Sequence, residues 1–191
     1  MRNTKMKIIS AANNIFNESG YVSPSIEKIA QAGDVSKMTF YKYFPDKESL
    51  ITEVLSIRKT VFLSEIAQII STAATPRLKL KGIFDYYASW IAGPDFNGCM
   101  FSRAVTELGA TSPLILQIND ELKTDLVQTI TDVLKEAIEP EPAERLALTI
   151  MILIDGAIIA SLSPSMTREY QAIDLAWIAA KSLILAESKV F

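Results

Sequence analysis

The chain has 191 residues, 49% of them hydrophobic and 21% charged, a balance that excludes a disordered polypeptide and supplies ample apolar surface for a core. A single Cys excludes an intramolecular disulfide and a Cys-based zinc site, and the absence of His removes the commonest general base and the commonest metal ligand. The net charge of −3 is unevenly shared: residues 1–59 carry nine Lys/Arg against six Asp/Glu, and the remainder ten against sixteen. A basic head on an acidic body is the polarity expected when only one end of a molecule meets phosphate.

Thr4 to Ser19 predicts a first helix, with Ile8, Ala11, Ala12, Ile15 and Phe16 as its apolar stripe and Gly20 as its end. Arg2, Lys5 and Lys7 suit a nucleic-acid backbone and suit plain solvation equally. MRNTKMKII runs into this helix without a secretory leader, so a cytoplasmic location is expected. Ser25 to Phe44, SIEKIAQAGDVSKMTFYKYF, predicts two short helices joined by a tight turn. Ser25 is a good N-cap, Ile26, Ile29 and Ala30 recur at helical spacing, Gly33-Asp34 breaks the first helix, and Ser36 opens the second. Phe40 and Phe44, four apart, mark the inner face of that second helix. Met38, Thr39 and Lys42 fall opposite, with Tyr41 and Tyr43 on the flanks. An outward Thr39 or Met38 suits base edges, while Lys37, Lys42, Lys47 and the phenols suit phosphate oxygens. Spacing alone fits equally well a surface helix of an unrelated α-bundle, since a helix-turn-helix has no compulsory residue.

Pro45-Asp46 breaks the chain, and Asp46 caps a long helix expected to run to Thr72 with Leu50, Val54, Ile57, Val61 and Ile66 inward. No linker rich in Gly, Pro or Ser follows the head, so this helix is the connection to the body. Thr75-Pro76 opens the next helix, to Ala92, with cap and N1 proline in register. Gly98 to Leu108 predicts a shorter one, with Arg103 and Glu107 an i,i+4 pair, and Leu114 to Ala137 a longer one. Glu139-Pro140-Glu141-Pro142 reads as a stop. Glu144 to Leu162 is the most apolar helix, but its uncharged run before Asp155 is far shorter than the roughly 20 residues a membrane span needs. Thr167 to Glu187 predicts the last helix. No strand pattern or internal repeat appears, so the expected fold is all-α: an N-terminal three-helix head joined by a long helix to a helical bundle.

No catalytic constellation, glycine-rich phosphate loop or zinc motif is present, so no enzyme, cofactor or metal site is expected. Cys99 at a helix start reads as a small core residue more readily than as a reactive thiol. Aromatic and soft side chains concentrate between Phe84 and Phe101, with Met151 on a facing helix; such a stripe is the usual make-up of a core as well as of a pocket. Gly156, Ala157 and Ala160, then Ala176 and Ala180 beside Trp177, place small residues at close-packing spacing on the last two helices. Paired about a two-fold axis, these would make a four-helix bundle.

The run from Thr4 to Leu55 resembles the DNA-binding domain of the TetR family of transcriptional regulators. IISAANNIFNESGY (Ile8 to Tyr21), SIEKIAQAG (Ser25 to Gly33) and VSKMTFYKYFPDKESL (Val35 to Leu50) carry the likeness in continuous order. The resemblance implies a DNA-binding domain over 1–47 and an effector-binding and dimerisation domain over 48–191. It implies DNA contacts from Ser25, Ser36, Lys37, Met38, Thr39, Tyr41, Lys42, Tyr43 and Lys47. It also implies an effector cavity in the body, expected against Phe84, Tyr87, Trp90, Met100, Arg103 and Met151, and dimerisation through the last two helices. The chain departs from the family pattern at Asp34 and Met38, where Gly is frequent, at Tyr43, where His is common, and at Lys42, where a second Tyr is frequent. These changes bear on which operator is bound. The expected function is a homodimeric repressor released from its operator by a small, mainly apolar ligand. A helical interaction protein whose head no longer binds DNA is the alternative in another class.

Overall fold

The computed structural model describes residues 2–163, 165 and 170–188. Among these the chain forms nine α-helices and no strand: α1 (Arg2–Ser19), α2 (Ile26–Ala32), α3 (Lys37–Tyr43), α4 (Lys47–Thr72), α5 (Pro76–Ile91), α6 (Met100–Leu108), α7 (Pro113–Lys135), α8 (Pro140–Ala160) and α9 (Ala172–Glu187). The expected all-α class is observed. The expected start of the last helix, at Thr167, lies outside the described residues.

The helices begin where side chains satisfy the first free amides. Ser25, Ser36 and Thr75 accept from the N–H groups of Lys28, Thr39 and Leu78. Asp46 Oδ1 accepts from Ser49 N–H at 2.7 Å, which starts α4 at the expected place. One expectation fails. Pro140 and Pro142 do not stop a helix but sit in the first turn of α8, where a proline lacks only an N–H that would be unpaired anyway.

Two compact units form, Met1–Val61 with Cys99–Glu121 and Phe62–Gly98 with Leu122–Phe191. The first unit holds α1 to α3, the start of α4, α6 and the start of α7. Its core is built on Ile8, Phe16, Tyr21, Ile29, Phe40, Leu50 and Leu55. The second holds α5, α8, α9 and the remainders of α4 and α7, with α8 packed on α9 and α5 on α9. Its core includes Leu80, Phe84, Ile130, Ile150 and Ile154. The inner face of α4 differs from the expected one: Leu50, Ile51, Val54, Leu55 and Ile66 are buried, whereas Val61, at the boundary of the two units, is exposed. A helix that contributes to two cores does not keep a single stripe along its length.

Candidate nucleic-acid interface

α2 and α3 are joined by Gly33 to Ser36. Gly33 N–H closes α2 on Ile29 O, and Asp34 takes a left-handed φ of 53°, a conformation Asp tolerates. Val35 N–H then bonds Ala30 O, turning the chain into α3. Phe40 and Phe44 anchor α3 in the core with ring centroids 5.9 Å apart. Burying those two fixes the rotation of the helix and presents its other face. Met38 is 82% exposed, and Tyr41 and Lys42 are exposed as well. Thr39 is half-buried, its hydroxyl 2.9 Å from Ser36 Oγ, and Tyr43 is half-buried on the flank. An exposed short helix with a thioether, a hydroxyl, a phenol and an ammonium on one face can enter a major groove.

The candidate cations are held in different ways. Lys37 is paired with Glu27 of α2, which lowers the Glu27 carboxyl through that hydrogen bond and raises the Lys37 ammonium. Lys5 bonds Glu53 at 2.7 Å and lies 5.5 Å over the Phe44 ring, and Lys7 lies 3.4 Å from Asp34. Lys47 donates to the carbonyls of Val22 and Pro24, at 3.0 and 2.7 Å; partial burial lowers its ammonium, with Glu107 opposing.

A residue outside the head completes this arrangement. Glu107, on α6, accepts from the N–H groups of Tyr21 (2.7 Å) and Val22 (3.1 Å) on one carboxylate oxygen and from Arg103 Nε (2.8 Å) on the other. Arg103 also reaches Asn17 O at 3.4 Å, and the Tyr21 hydroxyl donates to Met100 O at 2.9 Å. Partial burial works to raise the Glu107 carboxyl, but the bonds from Tyr21, Arg103 and Val22 outweigh it and hold the group below the usual carboxylate range. Burial pushes the Tyr21 phenol well up. The Arg103–Glu107 pair was legible as i,i+4 spacing, but its partners were not. The one local signal was Gly20, whose φ of 74° turns two successive amides toward α6.

Residues 8–54 match the family model of bacterial regulatory proteins, tetR family. The N-terminal segment of the chain is thus that of a tetR-family DNA-binding domain. The protein is a DNA-binding transcriptional regulator and not an enzyme. It is 27% identical over 134 residues to the fatty acid metabolism regulator protein of Bacillus subtilis (strain 168), covering 70% of this chain and 68% of that protein. It is 27% identical over 128 residues to the HTH-type transcriptional repressor DhaR of Mycobacterium sp. (strain GP1), covering 65% and 58%. A TetR-family transcriptional regulator from Streptomyces coelicolor shares the fold, with a TM-score of 0.87 at 18% identity over 98% of this chain and 97% of that one.

The remaining candidate residues of this chain separate. Phe84, Tyr87 and Met151 are buried and Trp90 half-buried in the second unit, while Met100 and Arg103 belong to the first. Five rings of the second unit form a chain of edge contacts, Tyr86 and Tyr87 on Phe62, Trp90 on Tyr87 and Phe96 on Trp90, with centroids 5.0–6.2 Å apart. Ala157, Ala176 and Ala180 are buried inside their own unit, Ala160 and Trp177 half-buried, and Gly156 exposed. Among the described residues, no group of three or more His, Cys, Asp or Glu could hold a metal ion, and no helix is long and apolar enough to cross a membrane.

Proposed function

We propose that the protein is a cytoplasmic, homodimeric repressor that leaves its operator when a small, mainly apolar ligand enters its body. In this reading residues 1–47 bind DNA and residues 48–191 bind effector and partner. The observation that carries it is an uncovered apolar stripe on α8 and α9. Leu148, Ile152 and Ile159 on α8, and Leu175, Ile178 and Leu185 on α9, are exposed, Ile152 by 71%. Gly156 lies within this stripe, and a Cβ there would meet nothing within 4 Å, which leaves room for a helix of a second copy. Two copies about a two-fold axis would cover both stripes as a four-helix bundle and gain about 25 cal/mol for each Å² of apolar surface removed from water.

A two-fold pair offers two recognition helices to half-sites about 34–36 Å apart. Release then requires a ligand that prefers a dimer with another spacing, and a preference of about 3 kcal/mol changes operator affinity about 150-fold. The ligand is placed among Phe84, Tyr87, Trp90 and Met151, with the ring chain beside them. Its apolar character follows from those side chains themselves, three aromatic rings and a thioether. The DhaR relative, a repressor, supports the sign of regulation.

The test combines sedimentation with duplexes selected from a random pool by the purified protein. Wild-type protein is expected to be dimeric at micromolar concentration, and Ile152→Asp monomeric with much weaker binding to the selected duplex. A wild-type monomer at that concentration ends the dimer reading, and a protein that selects no duplex ends the operator reading.

A further inference from the structure

The loop between α1 and α2 is gripped from both sides through its backbone. Gly20 adopts φ 74°, and the two amides that follow are outside any helix. Successive N–H groups after a left-handed residue form a small concavity for an anion. Its occupant is the Glu107 carboxylate, 86 residues away in sequence from Tyr21. On the far side, Lys47 holds the carbonyls of Val22 and Pro24. Val22 therefore donates to a carboxylate and accepts from an ammonium. Its side chain is 64% exposed, so its place is set by these bonds and not by burial. A carboxylate at the N–H end and an ammonium at the C=O end of one residue polarise the bonds in the same sense.

We infer that Glu107 is a positioning residue for DNA binding: through the Tyr21–Pro24 loop it holds Lys47, at the start of α4, where its remaining N–H can meet a phosphate oxygen. Two of the three Lys47 donors face carbonyls of a loop that Glu107 keeps in place. A Lys tied in this way meets phosphate with little further loss of side-chain freedom. DNA affinity thus depends on a residue of α6, well beyond the matched segment 8–54. The inference rests on the operator-binding reading, and the experiment separates the two.

A duplex selected from a random pool by wild-type protein serves as the probe for wild type, Glu107→Ala, Glu107→Gln, Lys47→Ala and the Glu107→Ala, Lys47→Ala double variant. Glu107→Ala is expected to bind about tenfold more weakly, the size of one charge-assisted contact, with the slope of log affinity against log salt reduced by about one. Glu107→Gln keeps an acceptor for the loop amides and should recover part of that affinity. The double variant should bind no more weakly than Lys47→Ala, because both changes remove the same contact. Amide exchange at Tyr21 and Val22 reports release of the loop.

Faster exchange in Glu107→Ala with wild-type affinity and salt slope overturns the inference, because the latch is then only structural. Should Glu107→Ala fail to fold, Glu107→Gln with wild-type affinity and slope but faster exchange overturns it in the same way. A wild-type protein that selects no duplex removes the operator reading, and this inference with it.

Discussion

In the unit that carries the recognition helix, the loop after α1 is held through four of its backbone groups by a carboxylate and an ammonium, the carboxylate being held in turn by a guanidinium that also reaches α1. In the other unit, α5 is held by rings: Phe84 against Trp177 at 5.1 Å, Tyr87 and Trp90 in the chain that ends at Phe96. Hydrogen bonds are directional and fail when one atom is removed, whereas apolar packing degrades with volume and tolerates a change of shape. A surface that must present particular groups to phosphates needs the first kind of restraint. An interior that, in the proposed reading, admits a small ligand is served by the second.

The largest break is expected in the apolar unit. Phe84→Ala should cost about 3–5 kcal/mol in chemical denaturation, and Phe84→Leu less than half of that, because a branched aliphatic side chain refills most of the space. With Trp90→Phe as background, Trp177 fluorescence reports the change. Equal losses for Ala and Leu would show that ring geometry, not volume, holds α5. Next comes Gly20→Ala, expected to cost about 2 kcal/mol. Alanine resists a positive φ, and its Cβ would fall 2.7 Å from an Arg103 nitrogen and closer still to Glu107. Unchanged stability would mean that the latch yields freely.

A smaller effect separates the units by pH. The Glu107 carboxyl is held below its ordinary value of 4.5, so its contribution is complete above that value and is lost as pH falls through the lower folded one. Wild type should therefore lose more stability than Glu107→Gln between about pH 5 and about pH 3, measured by denaturation midpoints. Parallel curves would remove Glu107 from the restraint. The smallest change concerns Lys37. Glu27→Gln frees that ammonium from its partner, so affinity for the selected duplex should rise about two- to threefold and the salt slope steepen by up to about one unit. A weaker complex would show that Glu27 orients Lys37 toward DNA.

What could be read before folding was local. Helix periodicity, the caps at Ser25, Ser36, Asp46 and Thr75, and the inward Phe40 and Phe44 all depend on residues within one turn of each other, and each stands where expected. The outward face of α3 follows from the same spacing in part: Met38 and Lys42 are exposed as expected, whereas Thr39, expected outward, is half-buried and Tyr41, expected on a flank, is exposed. Pro140 and Pro142 mark the limit of that reasoning: a proline ends a helix or begins one depending on where the preceding chain leads.

Questions of which face meets what were decided by packing. The small residues of α8 and α9 divide, with Ala157, Ala176 and Ala180 buried in their own unit and Gly156 left beside exposed Ile152 and Ile159. Spacing cannot make that division, since an alanine lets helices approach within a chain as readily as between chains. The meeting of Glu107 with Tyr21 and Val22 spans 86 and 85 residues, and no local rule brings a carboxylate to two amides over that distance. Sequence alone determined the helices, their caps and the basic head, because those rest on bonds between near neighbours. Only the tertiary structure decided what holds the head's first loop, because that carboxylate and those amides meet only after the helices have packed.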